Sequence, residues 1–255
     1  MQPWRTAIVN SDETDIWIRG YPIAGLMQQA SFADMVFLLH RARLPSAGER
    51  RLLEAMLVAV ADHGAGAPSC AAARLTASGN RRSLSAAIAA GVLTIGDEHG
   101  GAGSDCMEMI AAGVGHARRE SIPVAEAAAR AVEAAVAGGR RVPGLGHRVH
   151  TRDPRVAVLF EMAREVGLAG DGIAYVLGLE EAARARIRPL PVNVDGALAA
   201  VLHDLGFPPP AAQFLFIIGR VAGLTAEVAE EHSREKPMRI RIPIHYDGVP
   251  PRDPE

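Results

Sequence analysis

Apolar residues recur along most of this chain with the spacing of amphipathic helices. In one such segment Leu53, Met56 and Val60 fall on a single helical face. Ser46, followed three residues later by Glu49, is a capping box and predicts where this helix begins. Most of the chain repeats this kind of pattern, so we expect a mainly helical fold.

The remaining helices follow from similar signals. Ser31 with Asp34 forms a second N-cap arrangement, and Asp153-Pro154 starts a helix with proline in its first turn. Strand-like alternation is confined to 15–23 and to the tail 238–246, which we expect to be extended. Helices are predicted within 31–45, 46–64, 68–80, 83–96, 105–119, 122–137, from 153 onward, and within 171–187, 193–206 and 209–232.

Composition narrows the class of protein. The 255 residues are 49% hydrophobic and only 4% aromatic, which favours an all-α fold with closely packed helices in one large domain or a domain with a smaller lobe. A net charge of −2 gives no basic surface for nucleic acid or an anionic membrane. Two cysteines make no disulfide framework, and neither a signal peptide nor a membrane-length apolar run is found. The expectation is a soluble cytoplasmic protein.

Four polar residues interrupt the helical pattern beside glycine, where a side chain can face a cleft: His63, His99, His147 and Asp195. Three of them have a clear structural alternative, whereas His99 is harder to explain by packing. His63 would complement the negative end of a helix, and Asp195 could simply cap the helix that follows. His147 follows a Gly-x-Gly turn and could be a turn residue.

Other kinds of site find little support in the sequence. "GLGHRV" lacks the third glycine and the preceding strand of a dinucleotide fingerprint, and neither a phosphate-binding loop nor a Gly-x-Ser-x-Gly elbow occurs. His147 and His150 with Asp195 could bind a metal, but no spacing typical of a zinc site supports this, and we predict none. Almost all cationic residues are arginine, with Lys236 as the only lysine. The presence of any one arginine is therefore weak evidence for a function.

Taken in chain order, these segments resemble the citrate synthase family. "GDEHGGAGSD" is similar to its His-Gly-Gly-Ala loop, "PGLGHRVHTRDPR" to its Gly-x-Gly-His segment, and "VNVDG" to its Asn-Val-Asp segment. "FLFIIGRVAGLTAEVAEE" resembles its late core helix, and "RIRIPIHYDG" its C-terminal Arg…Tyr-x-Gly. A single helix between "RLP" and "ADHG" replaces the longer run of a full synthase, which makes the chain most similar to the compact citryl-CoA lyase group, including the lyase module of ATP-citrate lyase.

The resemblance implies a citrate synthase-like fold. A large helical dimerisation domain would comprise residues 1–100 and 200–255, and a smaller helical lobe, residues 101–199, would bind coenzyme A. No cofactor is expected to be tightly bound, because the coenzyme A thioester is itself the substrate.

The resemblance also implies roles for individual residues. Asp195 would be the acid or base at the thioester α-carbon, His99 would hold the thioester oxygen, and His147 would handle the proton of the ketone or alcohol oxygen. The substrate carboxylates would be bound by His63, Arg155, Arg220 and Arg241. Coenzyme A would be bound by Pro143, Gly144, Leu145, Gly146 and Arg148.

Arg241 would cross into a neighbouring subunit, which implies a homodimer or a higher homo-oligomer. Synthases usually have Arg-Pro at this point, whereas here Arg241 is followed by Ile242 and Pro243, which leaves Arg239 as a rival.

The predicted function is cleavage of citryl-CoA to acetyl-CoA and oxaloacetate through an enolate. Citrate synthesis, or cleavage of a related acyl-CoA such as citramalyl-CoA, stays open within the same class. The alternatives from other classes are a homologue that binds coenzyme A or carboxylates without catalysis, and a metal-dependent lyase.

Overall fold

The computed structural model describes residues 2–146 and 153–253, and these ranges form eleven helices and one small antiparallel sheet. The sheet has the strand order β1 (Val9–Ser11), β2 (Ile16–Ile18) and β3 (Tyr21–Pro22). The helices are α1 (Ile23–Gln29), α2 (Phe32–Arg41), α3 (Ala47–Val60), α4 (Pro68–Gly79), α5 (Leu84–Leu93), α6 (Ala102–Glu120), α7 (Val124–Ala137), α8 (Pro154–Glu165), α9 (Asp171–Arg186), α10 (Val194–Asp204) and α11 (Ala211–Arg234). The predicted all-α class is confirmed.

Local signals placed several helix starts correctly. Both capping boxes are present, Ser31 with Asp34 at α2 and Ser46 with Glu49 at α3. Asp153 caps α8 through a hydrogen bond from the Arg155 N–H, with proline in the first turn as predicted. Each of these caps satisfies backbone N–H groups that have no partner inside their own helix.

The structure differs from the sequence-based expectations at some element ends. Helix α1 and strand β1 were not predicted, because their apolar patterns are too short to be distinctive. Helix α3 ends at Val60, so His63 lies in the loop beyond it rather than in its last turn. In the described part of the tail, residues 238–246 belong to no strand.

The chain divides into two compact units. Unit 1 comprises residues up to 62 together with 95–222, and unit 2 comprises 63–94 together with 223 onward, so the division falls within α11. The predicted functional division into 1–100 with 200–255 and 101–199 follows other boundaries and stays a prediction.

Helix α10 forms the centre of unit 1. It packs against α3, α6, α8 and α9, and its residues Gly196–Leu202 are all buried. In unit 2, α4 packs on α5, and Leu224 and Val228 of α11 are buried with Cys70 and Ala73 of α4. Because α10 is fixed on several sides, its N-terminal turn is a rigid place from which to present a side chain.

Among the helices described, α11 passes a test of length and composition for a membrane span. Half of its most apolar stretch is buried within the protein, as it would be in the core helix of a globular domain. The test therefore does not favour a membrane over a protein core.

Candidate active site

The Asn-Val-Asp segment at the start of α10 presents Asp195. Asn193 is the N-cap residue, since its side-chain Oδ1 accepts a hydrogen bond from the Gly196 N–H at 3.0 Å. Capping is therefore performed by Asn193, and it does not explain the presence of Asp195 in the first helical turn.

The Gly-x-Gly loop docks onto this segment through backbone and amide groups. The Gly146 N–H donates to the Pro191 carbonyl at 2.7 Å, and the Asn193 N–H donates to the Gly144 carbonyl at 3.0 Å. Asn193 Nδ2 also donates to the Gly146 carbonyl at 2.8 Å. Two segments about fifty residues apart in sequence are thus fastened together immediately before the turn that carries Asp195.

Close packing explains two of the glycines. A Cβ on Gly144 would lie 2.6 Å from the Cys106 Sγ and 2.8 Å from the Gly196 Cα, and Gly144 has a φ of +80°. A Cβ on Gly196 would lie 2.4 Å from the Gly144 carbonyl oxygen. The loop and the start of α10 therefore touch backbone to backbone, and a side chain at either position would separate them.

Arg155 and Arg220 converge on the C-terminal end of α3. Arg155 Nη1 donates to the Ala59 carbonyl and Arg220 Nε to the Val60 carbonyl, each at 3.0 Å. The last carbonyls of a helix lack intrahelical partners and carry partial negative charge, so they attract guanidinium groups. Arg220 is only 2% exposed, and its planar group lies 4.8 Å from the centre of the Phe216 ring.

Asp153 holds Arg155 from the other side. Arg155 Nε and Nη2 donate to the two carboxylate oxygens of Asp153 at 2.9 and 2.7 Å, which is a bidentate pair. Asp153 is buried, whereas the Arg155 side chain is 22% exposed. The guanidinium is fixed between Asp153 and the end of α3.

His99 lies in a tight turn beside Phe216. Its N–H and carbonyl exchange hydrogen bonds with those of Gly96, both at 3.0 Å. The imidazole meets the Phe216 ring edge to face, with 5.7 Å between ring centres. A Cβ on Gly100 would approach the same ring to 2.7 Å, which explains the glycine after the histidine. One phenylalanine therefore packs against both His99 and Arg220.

The environment of Asp195 favours its protonated form. Burial is the largest cause and raises the pKa of this carboxyl above its ordinary value of 3.8. The charge of Asp153 adds to the rise, while Arg155 and Arg220 oppose it. Both arginines and Asp153 are thus close enough to influence Asp195. The site therefore combines a carboxyl group that has a raised pKa with two positively charged guanidinium groups.

A cavity of about 610 Å³ adjoins the docked loop. It is lined in part by Pro191 and Val192, whose backbone contacts the Gly-x-Gly loop. Its wall is both apolar and charged: Asp153, Val156, Ala157, Phe160, Glu161, Arg164, Leu177, Glu180, Arg184, Pro189, Leu190, Pro191 and Val192.

The predicted site residues that the structure describes belong to both units. His99, Asp195, Arg155 and Arg220 belong to unit 1, as do Pro143, Gly144, Leu145 and Gly146. His63 and Arg241 belong to unit 2, and both are exposed. His147 and Arg148 lie outside the described residues, so their predicted roles stay predictions.

Sequence reasoning missed two residues that shape the site. Phe216 gave no signal of its own, because an apolar residue in an apolar helix is ordinary. Asp153 was interpreted only as a helix cap, although the Asp-Pro-Arg spacing also places its carboxylate beside Arg155.

Comparison with known proteins identifies the family. Residues 45–241 match the protein family described as "Citrate synthase, C-terminal domain". A citrate synthase of Heyndrickxia coagulans is 28% identical over 87% of this chain, and a 2-methylcitrate synthase of Corynebacterium glutamicum is 36% identical over 44%. The chain spans only 57% and 30% of the lengths of these relatives.

Solved structures extend the comparison. The citryl-CoA lyase of Hydrogenobacter thermophilus is 38% identical, with 99% of this chain and 97% of that chain covered and a TM-score of 0.90. The ATP citrate lyase of Methanothrix soehngenii, solved with citrate and coenzyme A, is 21% identical, with 97% of this chain and 42% of that chain covered and a TM-score of 0.76. The second likeness concerns the fold alone.

Proposed function

Because this chain belongs to the citrate synthase family, we propose that it is a citryl-CoA lyase, which cleaves citryl-CoA to acetyl-CoA and oxaloacetate. The observation that carries the proposal is the similarity to a citryl-CoA lyase along nearly the whole of both chains. The chemistry of the site suits this reaction, because Asp195 has a raised pKa and lies close enough to Arg155 and Arg220 to be influenced by their charge.

Cleavage needs a place for each proton and electron pair. His147, the residue assigned by resemblance, takes the proton of the tertiary hydroxyl as the carbonyl of oxaloacetate forms. The electrons of the breaking carbon–carbon bond move to the thioester, whose enolate oxygen accepts a hydrogen bond from His99. Asp195 then donates its proton to the terminal carbon, which gives acetyl-CoA. A raised pKa suits this last step, because the acid must be protonated before it can donate.

The two arginines supply positive charge for a carboxylated substrate. Both are held at the end of α3, and Nε and Nη2 of Arg155 are also paired with Asp153. His63 and Arg241 are assigned to the same task, with Arg241 contributed by a neighbouring copy in a homo-oligomer. A cation that is already held in place loses less entropy when the substrate binds.

The docked loop supplies the contacts for the coenzyme. Pro143, Gly144, Leu145 and Gly146 would lie against its adenine end, and Arg148 against a phosphate. The adjoining cavity offers space and a basic residue, Arg164, for the same nucleotide. Because the loop is fastened to the start of α10, coenzyme binding and the position of Asp195 are coupled.

The direct test is an assay of citryl-CoA cleavage by the purified protein. Oxaloacetate release is followed by its enzymatic reduction with NADH, and citramalyl-CoA is offered in parallel with pyruvate as its readout. We expect oxaloacetate from citryl-CoA. Tight binding of coenzyme A without release of any ketoacid would contradict the proposal and favour the non-catalytic homologue.

The second candidate is citrate synthase activity, because several relatives carry that name. It differs in hydrolysing the citryl-CoA intermediate after condensation. Incubation with acetyl-CoA and oxaloacetate, with free thiol as the readout, separates the two. Stoichiometric release of free coenzyme A and citrate would favour the synthase, whereas accumulation of citryl-CoA alone fits the lyase.

The pH dependence of cleavage should reflect the ionisation of Asp195. Cleavage requires protonated Asp195, so its rate should fall as pH rises through the pKa of this residue, which burial raises above 3.8. Rates of cleavage by the wild-type protein and by Asp195→Asn, measured over roughly pH 4 to 9, test this expectation. The same alkaline fall in the residual activity of Asp195→Asn would be inconsistent with a role for Asp195 in proton transfer.

A further inference from the structure

A buried thiol lies directly beneath the Gly-x-Gly loop. Cys106 belongs to α6 and is 0% exposed. An ideal Cβ on Gly144 would lie 2.6 Å from its Sγ and 3.4 Å from its Cβ, so the turn at Gly144 rests on the Cys106 side chain. The same ideal position is 2.8 Å from the Gly196 Cα, so the turn also touches the start of α10.

The N-terminal part of α6 packs against the first turn of α10 as well. Gly103 is buried, and an ideal Cβ on it would lie 3.8 Å from the Asp195 carbonyl oxygen. Cys106 follows three residues later on the same face of the helix. The thiol is therefore enclosed by α6, the Gly144 turn and the start of α10, close enough to Asp195 for the two groups to interact electrostatically.

The thiol of Cys106 stays uncharged. Burial is the largest cause, and the charges of Asp195 and Asp105 add to it, so that the pKa of Cys106 rises to about 12. A thiol with so high a pKa is a poor nucleophile near neutral pH, and its S–H is only a weak hydrogen-bond donor. Cys106 therefore offers the site a nearly apolar surface and no reactive group.

Several elements surround Asp195 and Cys106, and α10 packs against α3, α6, α8 and α9. Helix α3 contributes the carbonyls that hold two arginines. Among the described residues, the charged and titratable side chains that act on Asp195 or on Cys106 are Asp105 and Cys106 of α6, Asp153 and Arg155 at the start of α8, Tyr175 of α9, and Arg220 of α11.

These groups give Asp195 two different sides. The charges of Asp153 and the two arginines act on it from α8 and α11. Towards α6 and α9 lie Cys106 and Tyr175, which are both 0% exposed and both neutral, because burial raises the pKa of each to about 12. A neutral, weakly polar neighbour solvates a carboxylate poorly and so favours the protonated acid.

We propose that Cys106 is a positioning residue of the lyase site: its nearly apolar side chain seats the Gly144 turn against α10 and keeps polar groups and water away from the α6 side of Asp195. This inference rests on the proposed function, because it concerns the residue that gives its proton to the enolate. As a consequence, Asp195 keeps that proton to a higher pH than it would beside a polar neighbour.

The test replaces Cys106 with serine in the full chain. Serine has nearly the same size, but its hydroxyl donates stronger hydrogen bonds and attracts water, both of which favour the carboxylate. We expect the pKa of Asp195 to fall by about 0.5–1 unit, and the alkaline fall in the cleavage rate to move to lower pH by the same amount. Above that fall, cleavage should be about 3- to 10-fold slower than in the wild type, with the two rates converging at low pH.

The pKa of Asp195 can also be measured without substrate. In protein labelled with ¹³C-aspartate, the chemical shift of the Asp195 carboxyl carbon is followed against pH, and Asp195→Asn identifies this signal by its loss. The titration therefore reports on Cys106 whether or not the protein cleaves citryl-CoA.

Two further variants separate polarity from packing. Cys70→Ser makes the same change at the other buried cysteine, in unit 2, and should leave the pKa of Asp195 unchanged. Cys106→Ala removes the sulfur without adding a polar group. The small apolar space it leaves should stay dry, so the pKa of Asp195 should remain within about 0.3 unit of the wild-type value. Thermal unfolding of the variants measures their loss of stability separately.

An unchanged pKa of Asp195 in Cys106→Ser would overturn the inference, and so would an equal fall in Cys106→Ala or in Cys70→Ser. If Cys106→Ser does not fold, Gly144→Ala tests the same contact from the loop side, because lifting the turn off Cys106 admits water and should also lower the pKa of Asp195. A wild-type protein inactive on citryl-CoA, together with a lowered pKa in Cys106→Ser, would instead refute the proposed function and leave the effect of Cys106 on Asp195 in place.

Discussion

Replacing Asp195 with asparagine is expected to lower the rate of citryl-CoA cleavage by roughly 10²- to 10⁴-fold. Asparagine keeps the size and polarity of the side chain but carries no acidic proton for the enolate carbon. Because the coenzyme is bound mainly through the docked loop, its affinity should change little. Steady-state cleavage kinetics with calorimetric titration of coenzyme A measure both effects.

A second aspartate provides the control for this prediction. Asp105 also lies in the first turn of a helix, α6, but is exposed. Asp105→Asn should retain the wild-type rate, because it removes a first-turn carboxylate without touching the site. If Asp195→Asn also retained the wild-type rate, Asp195 would have no part in proton transfer.

Substituting Gly144 with alanine should have the second large effect. The new methyl group would lie 2.6 Å from the Cys106 Sγ, in a backbone conformation with positive φ. We expect the free energy of unfolding to fall by about 2–4 kcal/mol, from backbone strain and overpacking together, and coenzyme affinity to fall as the loop separates from α10. Urea denaturation and coenzyme titration measure the two losses.

Gly146 is the matched control for Gly144. It has the same φ of +80°, but the nearest atom to an added Cβ is Leu190 Cδ2 at 3.4 Å, an ordinary contact. Gly146→Ala should therefore cost only the backbone strain, about 1–2 kcal/mol. Equal losses for the two variants would mean that the close approach to Cys106 and Gly196 has no energetic importance.

Local sequence signals predicted most of the fold. The capping boxes at Ser31 and Ser46 and the start of α8 at Asp153 could be found because each depends on residues within one helical turn. The central place of α10 was not found. Its alanine-rich pattern resembles that of several other helices, and only tertiary packing distinguishes it.

The candidate site was predictable as a set of residues but not as an arrangement. Motif order drew attention to Arg155 and Arg220, yet nothing local indicates that both bind the last carbonyls of α3. The bonds between Gly144 and Asn193 likewise join segments distant in sequence. Contacts of this kind arise from the packing of whole helices, which periodicity does not encode.

The proposed mechanism depends on an enolate that receives its last proton from Asp195, and citryl-CoA cleavage in D₂O by the wild-type protein and by Asp195→Asn tests this most directly. The methyl group of acetyl-CoA gains one hydrogen from an exchangeable source, so mass spectrometry should find a single deuterium in the wild-type product. The Asp195→Asn variant should form this product far more slowly. Singly deuterated acetyl-CoA formed by Asp195→Asn at the wild-type rate would contradict the proposed mechanism.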